Sequence, residues 1–168
     1  LKNTKFANPR SGEIGAMLGD DISAIKAKGV VGELMGVVSA ANDGLVTPQN
    51  QELTARQVVA AQILGEIGDA SIVPQLIDIM YDNAAKMPPH MENGVEVVKP
   101  SPLTTGVSMT VGNALAKIGE PAVDPLMAFV RDDSSNDKVK AVREKFKGYK
   151  TPSEQAKPTA YVDIATTV

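Results

Sequence analysis

The sequence predicts an all-α protein, a stack of about three helical hairpins followed by a cap helix, and three observations predict it. Ile67-Gly68-Asp69 returns as Ile118-Gly119-Glu120, at an offset of 51 that also carries Val58 to Met109, Ala61 to Gly112 and Leu64 to Leu115. Past this turn the offset is 50: Val73, Leu76, Ile77 and Met80 fall on Val123, Leu126, Met127 and Val130, so one residue is lost in the turn. The apolar positions after each turn recur at i, i+3, i+4 and i+7, one face of a 3.6-residue helix. A two-helix unit cannot bury both its apolar faces alone, so a repeated unit implies stacking on its neighbours.

Taken in order, the first unit spans about 8–42 and is the faintest. Its Ile22, Ile25, Val31, Leu34, Met35 and Val38 fall on Leu64, Ile67, Val73, Leu76, Ile77 and Met80 at an offset of 42. Gly32 and Gly36 are read as allowing close helix packing. Asn42 to Thr54, with Asp-Gly and Thr-Pro, reads as a loop. The second unit spans about 54–82. Gly68 suits the left-handed residue that ends its first helix, and Asp69 suits a cap for the second. An insert, 83–106, holds four of the eleven prolines, and its Asn93-Gly94 before Val95, Val97 and Val98 favours a small β-hairpin. The third unit spans about 105–133; Gly119 is expected to be left-handed like Gly68, and Pro121 suits the first helical position. Val139, Val142, Phe146 and Tyr149 at helical spacing predict a cap helix over 137–149, closing a repeat domain of residues 1–150. The polar tail, 151–168, reads as loosely packed, with a strand or a surface segment as alternatives.

The segments "ARQVVAAQILGEIGDASIVPQLIDIM" (55–80) and "GNALAKIGEPAVDPLMAF" (112–129) resemble HEAT repeats, of the short bacterial kind also seen in phycobilisome-lyase-type repeats. The two segments cover roughly a third of the chain. Their spacing is longer than the family's usual interval, which is where the insert comes in. The resemblance implies a right-handed α-solenoid whose second helices line a concave side.

Composition narrows the function classes. Hydrophobic residues make up 43% and charged residues 22% of the chain, as in a folded domain. A net charge of −3 argues against a phosphate-binding face, so no nucleic acid partner is expected. With no cysteine, disulfides and thiolate chemistry are excluded. No apolar run approaches the roughly 20 residues of a membrane span, and no signal peptide is present. The start at Leu1 is what a processed or partial chain would show, and the compartment stays open.

Catalytic patterns are sparse. His90 is the only histidine, and with Glu92 alone it supplies too little for a metal site or a triad. The chain has no His-Glu dipeptide, as HEAT-like di-iron hydroxylases would require, and no Trp, with three Tyr and three Phe, which leaves few stacking platforms for a HEAT-like DNA glycosylase. "GVVGELMG" (29–36) has no preceding strand and no Lys-Ser/Thr, so it is no phosphate loop. Asp20-Asp21 and Asp132-Asp133 are adjacent pairs, which do not face each other on a helix.

The expectation is therefore a non-enzymatic scaffold for a protein or peptide, without metal or cofactor. A second apolar stripe, Val30 and Val37, Ile72 and Ile79, Ala122 and Phe129, runs along the second helices. It either forms an apolar groove for a partner or packs against adjoining units. Under the groove reading the binding residues are Val37, Ile72, Gln75, Asp78, Ile79, Asp124, Phe129 and Arg131 on the concave face, with His90, Glu92, Asn93 and Val95 on the insert. Two alternatives stand beside it: a binding protein or lyase for a bulky small molecule such as a bilin, and a structural segment of a longer array that joins neighbouring repeats or copies.

Overall fold

The computed structural model of the chain describes residues 29–92 and 94–146. The part of the first unit before Gly29, with Asp20-Asp21, lies outside the described residues, as do Asn93 and the segment 147–168 that holds the end of the expected cap helix and the tail.

The described chain is mostly helical. Its elements are α1 (Val30–Val38), α2 (Pro48–Ile67), a 3-10 turn (Ala70–Ile72), α3 (Val73–Ala84), strands β1 (Pro89–Glu92) and β2 (Val95–Val98), α4 (Pro102–Ile118), α5 (Glu120–Val130) and α6 (Asp137–Lys145). α2 packs on α1 at one side and on α4 at the other; α3 also packs on α4, and α5 touches both α3 and α4. One core runs through these helices, built from Leu64, Leu76, Ile77, Met80, Tyr81, Val107, Val111, Leu115 and Phe129, and α6 adds Val139, Val142 and Phe146.

Two helices start earlier than their patterns suggest. α2 begins at Pro48, where Thr47 accepts a hydrogen bond from the Asn50 N–H at 3.2 Å. α4 begins at Pro102, where Ser101 accepts from the Leu103 N–H at 3.2 Å. Thr-Pro reads as a turn signal and Ser101-Pro102 falls inside the expected insert, yet each is a hydroxyl cap followed by a proline at a position whose N–H would be orphaned anyway. The loop before α2 therefore ends at Thr47, and the insert ends at Ser101. Within the insert β1 and β2 pair antiparallel, from Pro89 opposite Val98 to Glu92 opposite Val95, and Gly94 in the connecting turn has φ 79°.

The glycines divide differently from expectation. Gly68 is left-handed, with φ 67° and ψ 32°. Gly119 has φ 80° but ψ −132°, which is outside the left-handed helical region and open only to glycine. A Cβ on Gly32 or Gly36 would meet nothing within 4 Å among the described residues, so neither marks a close approach there. The close approach is at Gly65, where a Cβ would lie 2.9 Å from the Cα of Ala114 on α4.

Candidate functional site

Much of the apolar stripe along the second helices lies in the core. Ile72 and Phe129 are core residues, 4% and 1% exposed, and Ala122 is buried with them. Val37 and Ile79 are half-buried against the same core. The stripe belongs to the shared helical core, where apolar side chains of other helices cover it. Tyr81 on α3 and Phe129 on α5 stack with centroids 4.5 Å apart, and Phe146 meets Tyr81 edge-on at 6.4 Å.

The polar positions of this face are partly taken by the chain itself. Lys138 of α6 donates to both carboxylate oxygens of Asp78 at 2.8 Å and to the Pro74 carbonyl at 3.0 Å. One helical turn on, Asp82 of α3 pairs with Lys145. Two lysines seven residues apart thus lie along two aspartates four apart, and the apolar side of α6 sits over the core between them. Gln75, Asp124 and Arg131 are exposed. Asp132 pairs with Arg143, and Asp133 accepts from the N–H and hydroxyl of Ser135 at 2.9 and 2.6 Å. The Ser135 hydroxyl and N–H hold the Asp133 carboxyl below its ordinary range. These carboxylates close a turn and a helix contact.

A different region carries a buried polar network. Gln57, fully buried on α2, donates to the carbonyls of Val38 at 3.0 Å and Ala40 at 2.9 Å, and accepts from the buried Asn42 amide at 3.3 Å. Asn42 also donates to the Thr54 hydroxyl at 3.0 Å and accepts from the Gly44 N–H at 3.0 Å. The Ser101 hydroxyl, buried at the end of the insert, donates to the Gly44 carbonyl at 2.6 Å. On the outer side, Asn50 donates to Asp43 at 2.6 Å and to the Leu45 carbonyl at 2.8 Å. Each such bond contributes about 1 kcal/mol net, while breaking one leaves a buried group unpaired at greater loss.

The consequence is a loop, 42–47, locked to α2 and to the root of the strand ribbon, with Leu45 and Val46 exposed at its tip. Beside it, burial lowers the Lys86 amine from its ordinary range, against the opposing pull of Asp82 and Asp43. His90 and Glu92 lie on β1 and Val95 on β2, so the ribbon carries three of the four insert residues named from the sequence. With two strands in the sheet, each has one edge without a strand partner among the described residues. The polar cluster at Asn42, Gln57 and Ser101 escaped the sequence reading. Its one signal was Gln57 standing in register with Ala60, Ala61 and Leu64, a polar residue in an otherwise apolar helical stripe.

Among the described residues no group of three or more His, Asp or Glu side chains is placed to hold a metal ion, and no helix is long and apolar enough to cross a membrane. No protein-family model, curated protein or solved structure matches this chain.

Proposed function

We propose that the chain is a HEAT-like, non-enzymatic scaffold that binds a protein or peptide along the edge where its inter-unit loops meet. The supporting observation is the Ser101–Gly44 hydrogen bond, which ties the loop carrying Leu45 and Val46 to the root of the β1–β2 ribbon. Preorganised loops on a helical framework lose little entropy on binding. Each strand of the ribbon has an edge without a strand partner among the described residues, to which an extended segment can add through main-chain hydrogen bonds, while Leu45 and Val46 supply apolar contact beside it. The concave helices take a lesser part, because their apolar stripe is core and Asp78 and Asp82 are paired with α6.

Affinity capture from the native cell extract with three forms of the full chain tests this reading. Wild type and an Asp124→Ala/Arg131→Ala variant are expected to retain the same protein, and a Leu45→Asp/Val46→Asp variant to lose it. Loss in the Asp124/Arg131 variant alone would return the site to the concave face. A chain that retains no protein and instead shifts the absorption of an added linear tetrapyrrole would overturn the scaffold reading in favour of a small-molecule site.

A further inference from the structure

The pairing of β1 with β2 fixes which main-chain groups of the ribbon face outward. Antiparallel partners alternate between pairs that exchange two hydrogen bonds and pairs that exchange none. Pro89 has no N–H, so Pro89 opposite Val98 is a pair of the second kind, as is Met91 opposite Glu96, while His90 with Val97 and Glu92 with Val95 are the bonded pairs. The N–H groups of Glu96 and Val98 therefore point away from β1, and that of Met91 points away from β2. The outer edge of β2 offers two donors and two acceptors; the outer edge of β1 offers a single donor, because Pro89 interrupts it. Neither edge has a strand partner among the described residues, and two strands alone are marginal in water.

The described residues end beside the root of this ribbon. Lys145, at the end of α6, pairs with Asp82, and Phe146 meets Tyr81 edge-on. Lys86 follows Asp82 by about one helical turn, and its carbonyl accepts from the Ser101 N–H at 3.3 Å, so the entry to β1 and the exit from β2 meet there. Past Phe146, and outside the described residues, the sequence runs through Lys147–Ala160, a polar stretch with Pro152 and Pro158, to Tyr161–Val168, "YVDIATTV". Six of these eight residues, Tyr161, Val162, Ile164, Thr166, Thr167 and Val168, are aromatic or β-branched, the types that fit a strand. The fourteen residues from Lys147 to Ala160 reach roughly 45 Å when extended, ample for a path that starts beside the ribbon's root.

We propose that part of Tyr161–Val168 adds to the outer edge of β2 in the same molecule, antiparallel to it, as the third strand of the sheet. Direction and edge follow from separate observations. A segment arriving at the root runs outward toward Gly94, whereas β2 runs from Gly94 back to the root, so the two are antiparallel without a crossover; on β1 the same approach gives a parallel pair, slightly less stable per residue. The hydrogen-bonding groups select the same edge, since Glu96 and Val98 together present twice the donors of β1. Covering an open edge with the chain's own strand also removes a template for aggregation. This strand needs no outside partner; a partner segment of the kind proposed for the ribbon finds the β1 edge open, or displaces it.

Amide hydrogen exchange of the full chain, read residue by residue by NMR and corrected for intrinsic rates, tests the seat. The Glu96 and Val98 amides are expected to be about tenfold or more better protected than the Met91 amide, which faces the bare edge. A chain ending at Ala160 is expected to bring both down to the level of Met91, while the amides of Leu64 and Leu115 stay protected and report an intact core. Ile164→Pro/Ala165→Pro in the full chain is expected to do the same, because one of two successive residues in a strand must donate toward β2. Glu96 and Val98 exchanging as fast as Met91 in the wild-type chain would overturn the third strand, as would protection that survives removal of residues 161–168. Protection that fades on dilution would give the edge to a second copy and overturn the intramolecular strand. Capture by the Leu45→Asp/Val46→Asp variant moves independently of these rates, so the scaffold and the third strand can each fail alone.

Discussion

In the first helix pair, α2 reaches α3 through Gly68, Asp69 and a turn of 3-10 helix; in the second, α4 reaches α5 through Gly119 alone. The residue missing from the second turn is absorbed in the backbone of Gly119, whose ψ of −132° no residue with a Cβ adopts readily. The shorter turn also rotates the helix that follows. α3 buries Val73, Leu76, Ile77 and Met80, while α5 buries Ala122, Leu126 and Phe129, the counterparts of Ile72, Leu76 and Ile79. A shift of one residue turns a helix by about 100°. The two stretches share the buried positions Ile72/Ala122 and Leu76/Leu126, and they differ where Val73, Ile77 and Met80 are buried while Val123 is exposed and Met127 and Val130 are half-buried.

The largest expected effect tests that rotation. Phe129→Ala is expected to destabilise the fold by about 3–5 kcal/mol, because it empties the space beside Tyr81, whereas Val123→Ala should stay within about 0.5 kcal/mol. Comparable losses for the two variants in urea unfolding would show that α5 follows the register of α3. Next comes the contact between pairs. Gly65→Ala drives a Cβ against the α4 backbone and is expected to lose about 1–3 kcal/mol, while Ala116→Gly, at the matching exposed site, should lose only the helix propensity difference of about 1 kcal/mol.

The turns themselves separate more finely. Gly119→Asn is expected to destabilise by about 1–3 kcal/mol and Gly68→Asn by less than about 1 kcal/mol, since asparagine tolerates the left-handed helical region but not the conformation of Gly119. Equal thermal shifts in the two variants would contradict the difference between the turns. Alkaline pH probes the junction of the pairs. Burial pushes the Tyr81 hydroxyl well above its ordinary range, so the folded protein keeps a proton that the unfolded chain releases above about pH 10. This part of the stability is present below that pH and lost as pH rises beyond it. Tyr81→Phe should lose less stability between neutral and strongly alkaline pH than wild type. The smallest effect belongs to α6: Lys138→Ala is expected to lose no more than about 1 kcal/mol, shrinking with salt, because the Asp78 pair is partly exposed.

Much of the helical pattern was legible because it rests on local rules. Apolar spacing marked α2 to α6, Gly68 and Asp69 behave as their residue types require, and His90, Glu92 and Val95 lie on the paired strands. The helix starts at Pro48 and Pro102 fell in an expected loop and insert because a proline after Thr or Ser serves equally in a loop and at a helix cap, and only the following backbone decides. Ile72 and Phe129 were offered to a partner, yet whether an apolar stripe faces a groove or a neighbouring helix depends on packing that lies many residues away.

By itself the sequence determined that the described chain is mostly helical and where the two main turns fall, because propensity and periodicity act over a few residues. Only the tertiary structure decided that α6 lies over α3, that Gln57, Asn42 and Ser101 form one buried network, and that Met109 is open where Val58 is covered. Each of these depends on contacts between residues tens of positions apart. The rotation of α5 has the same origin: one residue lost at Gly119 is a small change in sequence, and its effect on burial appears only when the helix meets its neighbours.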